Sequence, residues 1–198
     1  TTAVLNPKAK TTRRQAFRHQ PIALAIVDQN ANHGAETITE NEDLASFILH
    51  YIPRVKEGSV IAVTSKIVAL AEGRAVVPED EKTKERLLKK ESEVAIRTKH
   101  TWLTITDGAM VSSAGIDQSN ADGKLILLPR DSFKSAKALW NTLRKAYKVK
   151  KLGVIIIDSR TLPLRAGAVG MAMGYAGFKG IRDYRGTPDI FGRLFRMA

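Results

Sequence analysis

From Lys151 to Arg193 the chain reads KLGVIIIDSRTLPLRAGAVGMAMGYAGFKGIRDYRGTPDIFGR. Leu152 to Ile157 reads as a buried strand, and it ends on an acid and a hydroxyl, Asp158 and Ser159. Arg160 and Arg165 follow, then five glycines (Gly167, Gly170, Gly174, Gly177, Gly180) and the charged cluster Arg182-Asp183-Tyr184-Arg185-Gly186. An acid beside a hydroxyl at a strand end supplies oxygen ligands for a divalent cation. Arginines hold phosphates or carboxylates, and glycine lets a backbone come close to a ligand. The stretch predicts a site that handles several anions around a metal.

Outward from that stretch, helices and strands mix irregularly. Asp131 to Tyr147 is the clearest amphipathic helix, with Phe133, Ala136, Leu139, Trp140, Leu143 and Ala146 on one face and Asp131 or Ser132 as its cap. Ser59 to Thr64 is a β-branched strand, and Ser65-Lys66 opens an apolar stretch that closes at Glu72-Gly73-Arg74. Thr39-Glu40-Asn41-Glu42 has capping-box spacing before a helix that Pro53 stops. Asp80 to Arg97 reads as a charged helix. Trp102 to Thr106 and Met110 to Ile116 read as a hairpin around Asp107-Gly108. Lys124 to Leu128 and Ile22 to Val27 are further strands, and Asn30 to Gly34 is a turn. This order predicts an α+β fold with mixed sheets and flanking helices rather than a regular doubly wound sheet. One domain over residues 1–198 is expected, with residues 1–20 as a basic arm and a core from about residue 21.

Composition narrows the chemistry. The chain has no cysteine, which removes disulfides, thiolate metal sites and a cysteine nucleophile, and fits a cytoplasmic protein. The N-terminus lacks a signal-type apolar core, and the longest weakly charged run, Ala166 to Phe178, is too short to span a bilayer. No membrane association is therefore expected. The net charge of +12 in 198 residues draws anions, though scattered lysines and arginines also simply solvate a surface. Aromatics make up only 6% and do not interleave with the basic residues, so a nucleic-acid partner is not expected.

Four constellations carry candidate chemistry. Asp117 with Asp158 and Ser159 suits a hard cation such as magnesium or manganese, although an aspartate after a strand is also an ordinary turn former or cap. Thr64-Ser65-Lys66 could hold a nucleotide phosphate, or could be a capped helix start; the glycines of a phosphate-binding loop are missing. Arg165 with the glycine series serves either ligand approach or close packing. Arg185, in the cluster that continues to Asp189 and Arg193, is either part of a charge network or a clamp for a substrate carboxylate. The histidines, at 19, 33, 50 and 100, show no metal-ligand spacing. Asp158, Arg165 and Arg185 are the expected catalytic residues.

In order, the blocks TSKIVALAEGR (Thr64–Arg74), SSAGIDQSNADGKLILLPRD (Ser112–Asp131), IIIDSRTLPLRAG (Ile155–Gly167) and GYAGFKGIRDYRGTPDIFGR (Gly174–Arg193) resemble the CofE-type gamma-glutamyl ligases, named for coenzyme F-420:L-glutamate ligase. The resemblance implies an α+β fold in an interlocked homodimer. It implies joining of L-glutamate to a carboxylate of a coenzyme acceptor, with GTP (or ATP) and a divalent metal. It implies Asp117, Asp158 and Ser159 as metal ligands, and Ser65, Lys66 and Asn120 as nucleotide contacts. Three departures stand out. Leu70 replaces a lysine common in that family. Asp158 to Arg165 reads DSRTLPLR, closer to a branch assigned to folate metabolism than to the deazaflavin enzymes. Family members also continue beyond Phe191-Gly192-Arg193 with further contacts, so an incomplete site, serving as a binding or assembly module, is the alternative expectation.

Overall fold

The structure, a computed structural model, describes residues 24–27 (backbone only), 38–80, 82–119, 121–162, 164 and 166–196. The expected basic arm, the turn at 30–34, Asn120 and Arg165 lie outside the described residues.

Three of the four strands of the largest sheet fall on apolar runs that the sequence marks; the fourth, Ala168–Ala176, does not. Strands β1 (Leu24–Val27), β2 (Ser59–Thr64) and β8 (Leu152–Thr161) lie parallel, and β9 (Ala168–Ala176) adds antiparallel to β8, in the order β1-β2-β8-β9. Ile61, Val63, Val154 and Ile156 are fully buried. Helices α1 (Leu44–Tyr51), α2 (Ser65–Ala71) and α4 (Ser132–Tyr147) join this core through Ile48, Ile67 and Leu143. Burying each such aliphatic side chain contributes about 1.5–3 kcal/mol.

A second, smaller core gathers Leu88, Ala114, Ile116, Leu125 and Leu127. Around it stand α3 (Thr83–Lys90), the two-stranded ladder of β3 (Ala75–Val76) and β7 (Leu125–Ile126), and the meander of β4 (Val94–Arg97), β5 (Trp102–Thr106) and β6 (Ala109–Ser112). Asp107 and Gly108 both take positive φ, as a tight hairpin turn between twisted strands requires. Mixed sheets with helices in irregular order agree with the expected α+β class. Among the described residues no helix is long and apolar enough to cross a membrane.

Several expected boundaries move, each for a local reason. The Thr39–Glu42 spacing closes a turn: the Thr39 amide and hydroxyl both donate to Glu42, at 2.8 and 3.1 Å. The cap of α1 is Asp43, whose carboxylate accepts from the Ala45 and Ser46 amides. The charged segment expected as one helix is α3 followed by strand β4, because Val94 and Ile96 pair across to Ile105 and Leu103 of β5. The strand expected over Met110 to Ile116 stops at Ser112, where the chain enters a left-handed turn, and the one expected over Lys124 to Leu128 shortens to β7.

On α4, capped by Asp131 as expected, Phe133 and Ala146 face solvent rather than the core. Phe133 sits against the Tyr175 ring instead, with centroids 5.2 Å apart. Partly buried Tyr147 turns inward, and its hydroxyl donates to the Ile52 carbonyl at 2.5 Å. Of the glycine series, Gly170 and Gly174 lie in strand β9, laid along β8. Gly174 is where α4 crosses it: an added Cβ would stand 2.4 Å from the Ser132 backbone.

The boundary that matters for function is that of β8. Its parallel partner β2 runs out at Thr64↔Ile157, but its antiparallel partner β9 continues to Thr161↔Ala168. Asp158 and Ser159 therefore lie inside a strand, one step past the end of the parallel ladder, and not after the strand as the sequence suggests.

Candidate active site

The site forms where the parallel ladder gives out. In open α/β sheets the carboxyl ends of parallel strands are the usual place for a ligand. Here β2 ends on Thr64 and α2 starts at once with Ser65-Lys66. This dipeptide reaches both candidate acids. The buried Ser65 hydroxyl donates to Asp158 Oδ1 at 2.7 Å. The Lys66 ammonium lies 2.6 Å from Asp117 Oδ2, and also donates to the Ser119 carbonyl at 2.7 Å and the Ser119 hydroxyl at 3.0 Å.

Asp117 is fixed from behind by its own backbone, which exchanges two 2.9 Å hydrogen bonds with Ile126. Burial opposes ionisation of its carboxyl, but the Lys66 ammonium and the Ser119 amide and hydroxyl outweigh that. The Asp117 carboxyl is held below the usual carboxylate range.

These groups line one cavity of about 570 Å³. Ser65, Lys66, Asp117, Asp158 and Ser159 all border it, so the structure brings together five of the expected site residues. Arg185 is not among its lining residues; that guanidinium closes on Asp183 instead, with Nη2 2.6 Å from Oδ2. Arg165 and Asn120 lie outside the described residues.

The donor set is all oxygen: two carboxylates, with the hydroxyls of Ser65, Ser119 and Ser159. The buried Thr64 hydroxyl, on the same wall, has no hydrogen-bond partner. Among the described residues no group of three or more His, Asp or Glu side chains stands together. Two carboxylates without a full protein cage suit magnesium or manganese, which complete their shells with water and substrate phosphates. The residues present thus fit a hard divalent cation.

Across most of this architecture, residues 34–198, the chain matches the family model described as F420-0:Gamma-glutamyl ligase. The chain belongs to this gamma-glutamyl ligase family. It is 31% identical to the coenzyme F420:L-glutamate ligase of Methanopyrus kandleri, over 92% of this chain and 75% of that protein. It is 32% identical to the enzyme of the same name from Methanothermobacter thermautotrophicus, over 81% and 72%. The protein of that name from Archaeoglobus fulgidus is likewise 32% identical, over 83% and 73%.

Within this member of the gamma-glutamyl ligase family, two features of the cavity escape a reading by residue type. Ser113, Ala114 and Gly115 take positive φ in succession, between 50° and 70°, on the short turn between β6 and Asp117. Ser113 and Gly115 line the cavity. The left-handed conformation costs about 1–2 kcal/mol for a residue with a Cβ, and the Ala114 amide offsets part of this by donating to the buried Thr104 hydroxyl at 2.8 Å. A run of small residues after a strand is the only trace in the sequence. Arg160 is the second feature. It is buried in the cavity wall, although the sequence offers it only as one arginine among several.

Proposed function

We propose that this protein is a gamma-glutamyl ligase that joins L-glutamate to a carboxylate of a coenzyme acceptor, of folate or deazaflavin type, through an acyl phosphate made from GTP (or ATP). One observation supports this most: Ser65 and Lys66, consecutive residues at the start of α2, tie the two aspartates of a single cavity together in a chain of a ligase family.

A carboxylate is a poor electrophile. Transfer of the terminal phosphoryl group to it forms a new bond from carboxylate oxygen to phosphorus, and the nucleoside diphosphate leaves. The glutamate amine then attacks the activated carbonyl carbon. Inorganic phosphate departs with the bonding electrons, and the amine gives up a proton. Such transfers are governed by positioning and charge, and need no protein nucleophile. None of the cavity residues forms a nucleophile-base pair of Ser-His or Cys-His type.

Asp117 and Asp158, with the Ser159 oxygen, would hold the divalent ion, which when bound neutralises phosphate charge. Lys66 presents its ammonium at the mouth of α2, where a phosphate oxygen competes with Asp117 and Ser119 for it. Ser65 orients the Asp158 carboxylate. Arg165 and Arg185 remain the candidates for clamping substrate carboxylates, and a homodimer is the proposed assembly.

The test is product formation. The protein is incubated with manganese, L-glutamate and GTP or ATP, and offered tetrahydrofolate or the deazaflavin coenzyme. Mass spectrometry is expected to show one added glutamate on one acceptor. Nucleotide binding without glutamate-dependent phosphate release would instead favour a binding module that has lost the reaction.

A further inference from the structure

Arg160 is the only charged side chain buried among the described residues, at 5% exposure. It stands on β8 two residues past Asp158, and alternate strand residues share a face. Its guanidinium donates to the Met110 carbonyl at 3.2 Å and meets the Met173 sulfur at 2.9 Å, while Nε has no partner. Arginine carries five N–H donors and thioether sulfur is a weak acceptor, so most of its donor capacity is unused. A buried cation is tolerated when an anion faces it. No ion pair among the described residues includes Arg160.

Four acids line the two cavities that Arg160 borders, Asp107, Asp117, Asp131 and Asp158, and none of them forms an ion pair with it. Asp158 accepts from Ser65, and Asp117 is paired with Lys66. Arg160 also lines a second cavity of about 450 Å³, bordered by Arg130, Asp131, Phe133 and Met171. There Asp131 caps α4 and pairs with Lys134 at 3.0 Å. The guanidinium thus lines both cavities, with a positive charge that no acid among the described residues pairs with.

We propose that Arg160 is a substrate-recognition residue whose guanidinium receives a carboxylate, of the amino acid or of the acceptor, at this wall. A planar carboxylate matches the guanidinium fork with two parallel hydrogen bonds. It supplies the missing counter-charge within reach of the face that carries Asp158. The identity of the ligand rests on the ligase reading; the unanswered buried charge does not.

The experiment compares melting temperatures of the wild type, Arg160→Met and Arg160→Lys. Each is measured alone, with L-glutamate, with the acceptor coenzymes, and with GTP plus manganese, since a ligand that binds only the folded state raises the melting point. Arg160→Met, which removes an unpaired buried charge, is expected to melt at or above the wild type when alone. It keeps the rise with GTP plus manganese and loses the rise with one carboxylate ligand; which one is lost identifies the source. Arg160→Lys keeps the charge but not the fork, and weakens the same rise. Carboxylate rises that survive intact in both variants overturn the inference. So does a wild type that responds to GTP plus manganese and to no carboxylate ligand. If GTP plus manganese raises nothing in the wild type while a carboxylate rise is lost on Arg160→Met, the ligase reading falls and Arg160 recognition stands.

Discussion

At Lys66 and Asp117, a cation and an anion hold each other across the mouth of the cavity, and the pair is visible only in the fold. The chain offers Lys66 as a phosphate contact and Asp117 as a metal ligand, and the structure pairs the two with one another. Ser65 and Asp158 meet over a separation of 93 positions. No periodicity reports such a distance, so the residue types were legible and their pairing was not. Asp117→Asn keeps the shape and removes the charge that Lys66 answers. We expect it to cost about 1 kcal/mol, at the low end because Asp117 is partly open to solvent and its pairing is screened. The sign with pH follows from the lowered carboxyl. The contribution of Asp117 is fully present above its unfolded value of about 3.9 and is lost as pH falls through the lower folded value. Urea unfolding at neutral and acid pH should show wild type and variant converging in acid. A constant difference at all pH values would assign the loss to packing.

Among the elements, strong local signals suffice to place β2 with its bounds, the hairpin at Asp107-Gly108, and α4 from its cap to Tyr147. Where the structure departs from the local signal, the cause is the same. Val94 to Arg97 follows a charged helical run and passes for its continuation until β5 offers a ladder, and β8 looks finished at Ile157 until β9 extends it. Strand length is decided by a partner elsewhere in the chain. β9 plays that part because small residues let α4 lie close over it. At Gly174 any side chain meets the Ser132 backbone at the first turn of α4. Gly174→Val should lower stability by about 1–3 kcal/mol, the usual cost of overpacking, read as a shift of the denaturant midpoint. A midpoint unchanged from the wild type would mean that α4 and β9 yield freely there.

In the molecule as a whole, the site lies where the two cores meet. Beside the larger core, α2 supplies Ser65 and Lys66 and β8 supplies Asp158; the turn region of the smaller core supplies Asp117 and Ser119. Neither core holds a complete site, which is why the fold class was easier to read than the site. The net charge of +12 suits a protein whose proposed substrates (nucleotide, glutamate and acceptor) are all anionic. We propose that the cavity lined by the two aspartates takes metal and nucleotide together. The most direct measurement of this is the melting temperature of wild type, Asp117→Asn and Asp158→Asn, with and without manganese plus GTP. A rise in the wild type that is lost in both variants is the predicted result. An equal rise in all three proteins would put the nucleotide elsewhere and contradict the account.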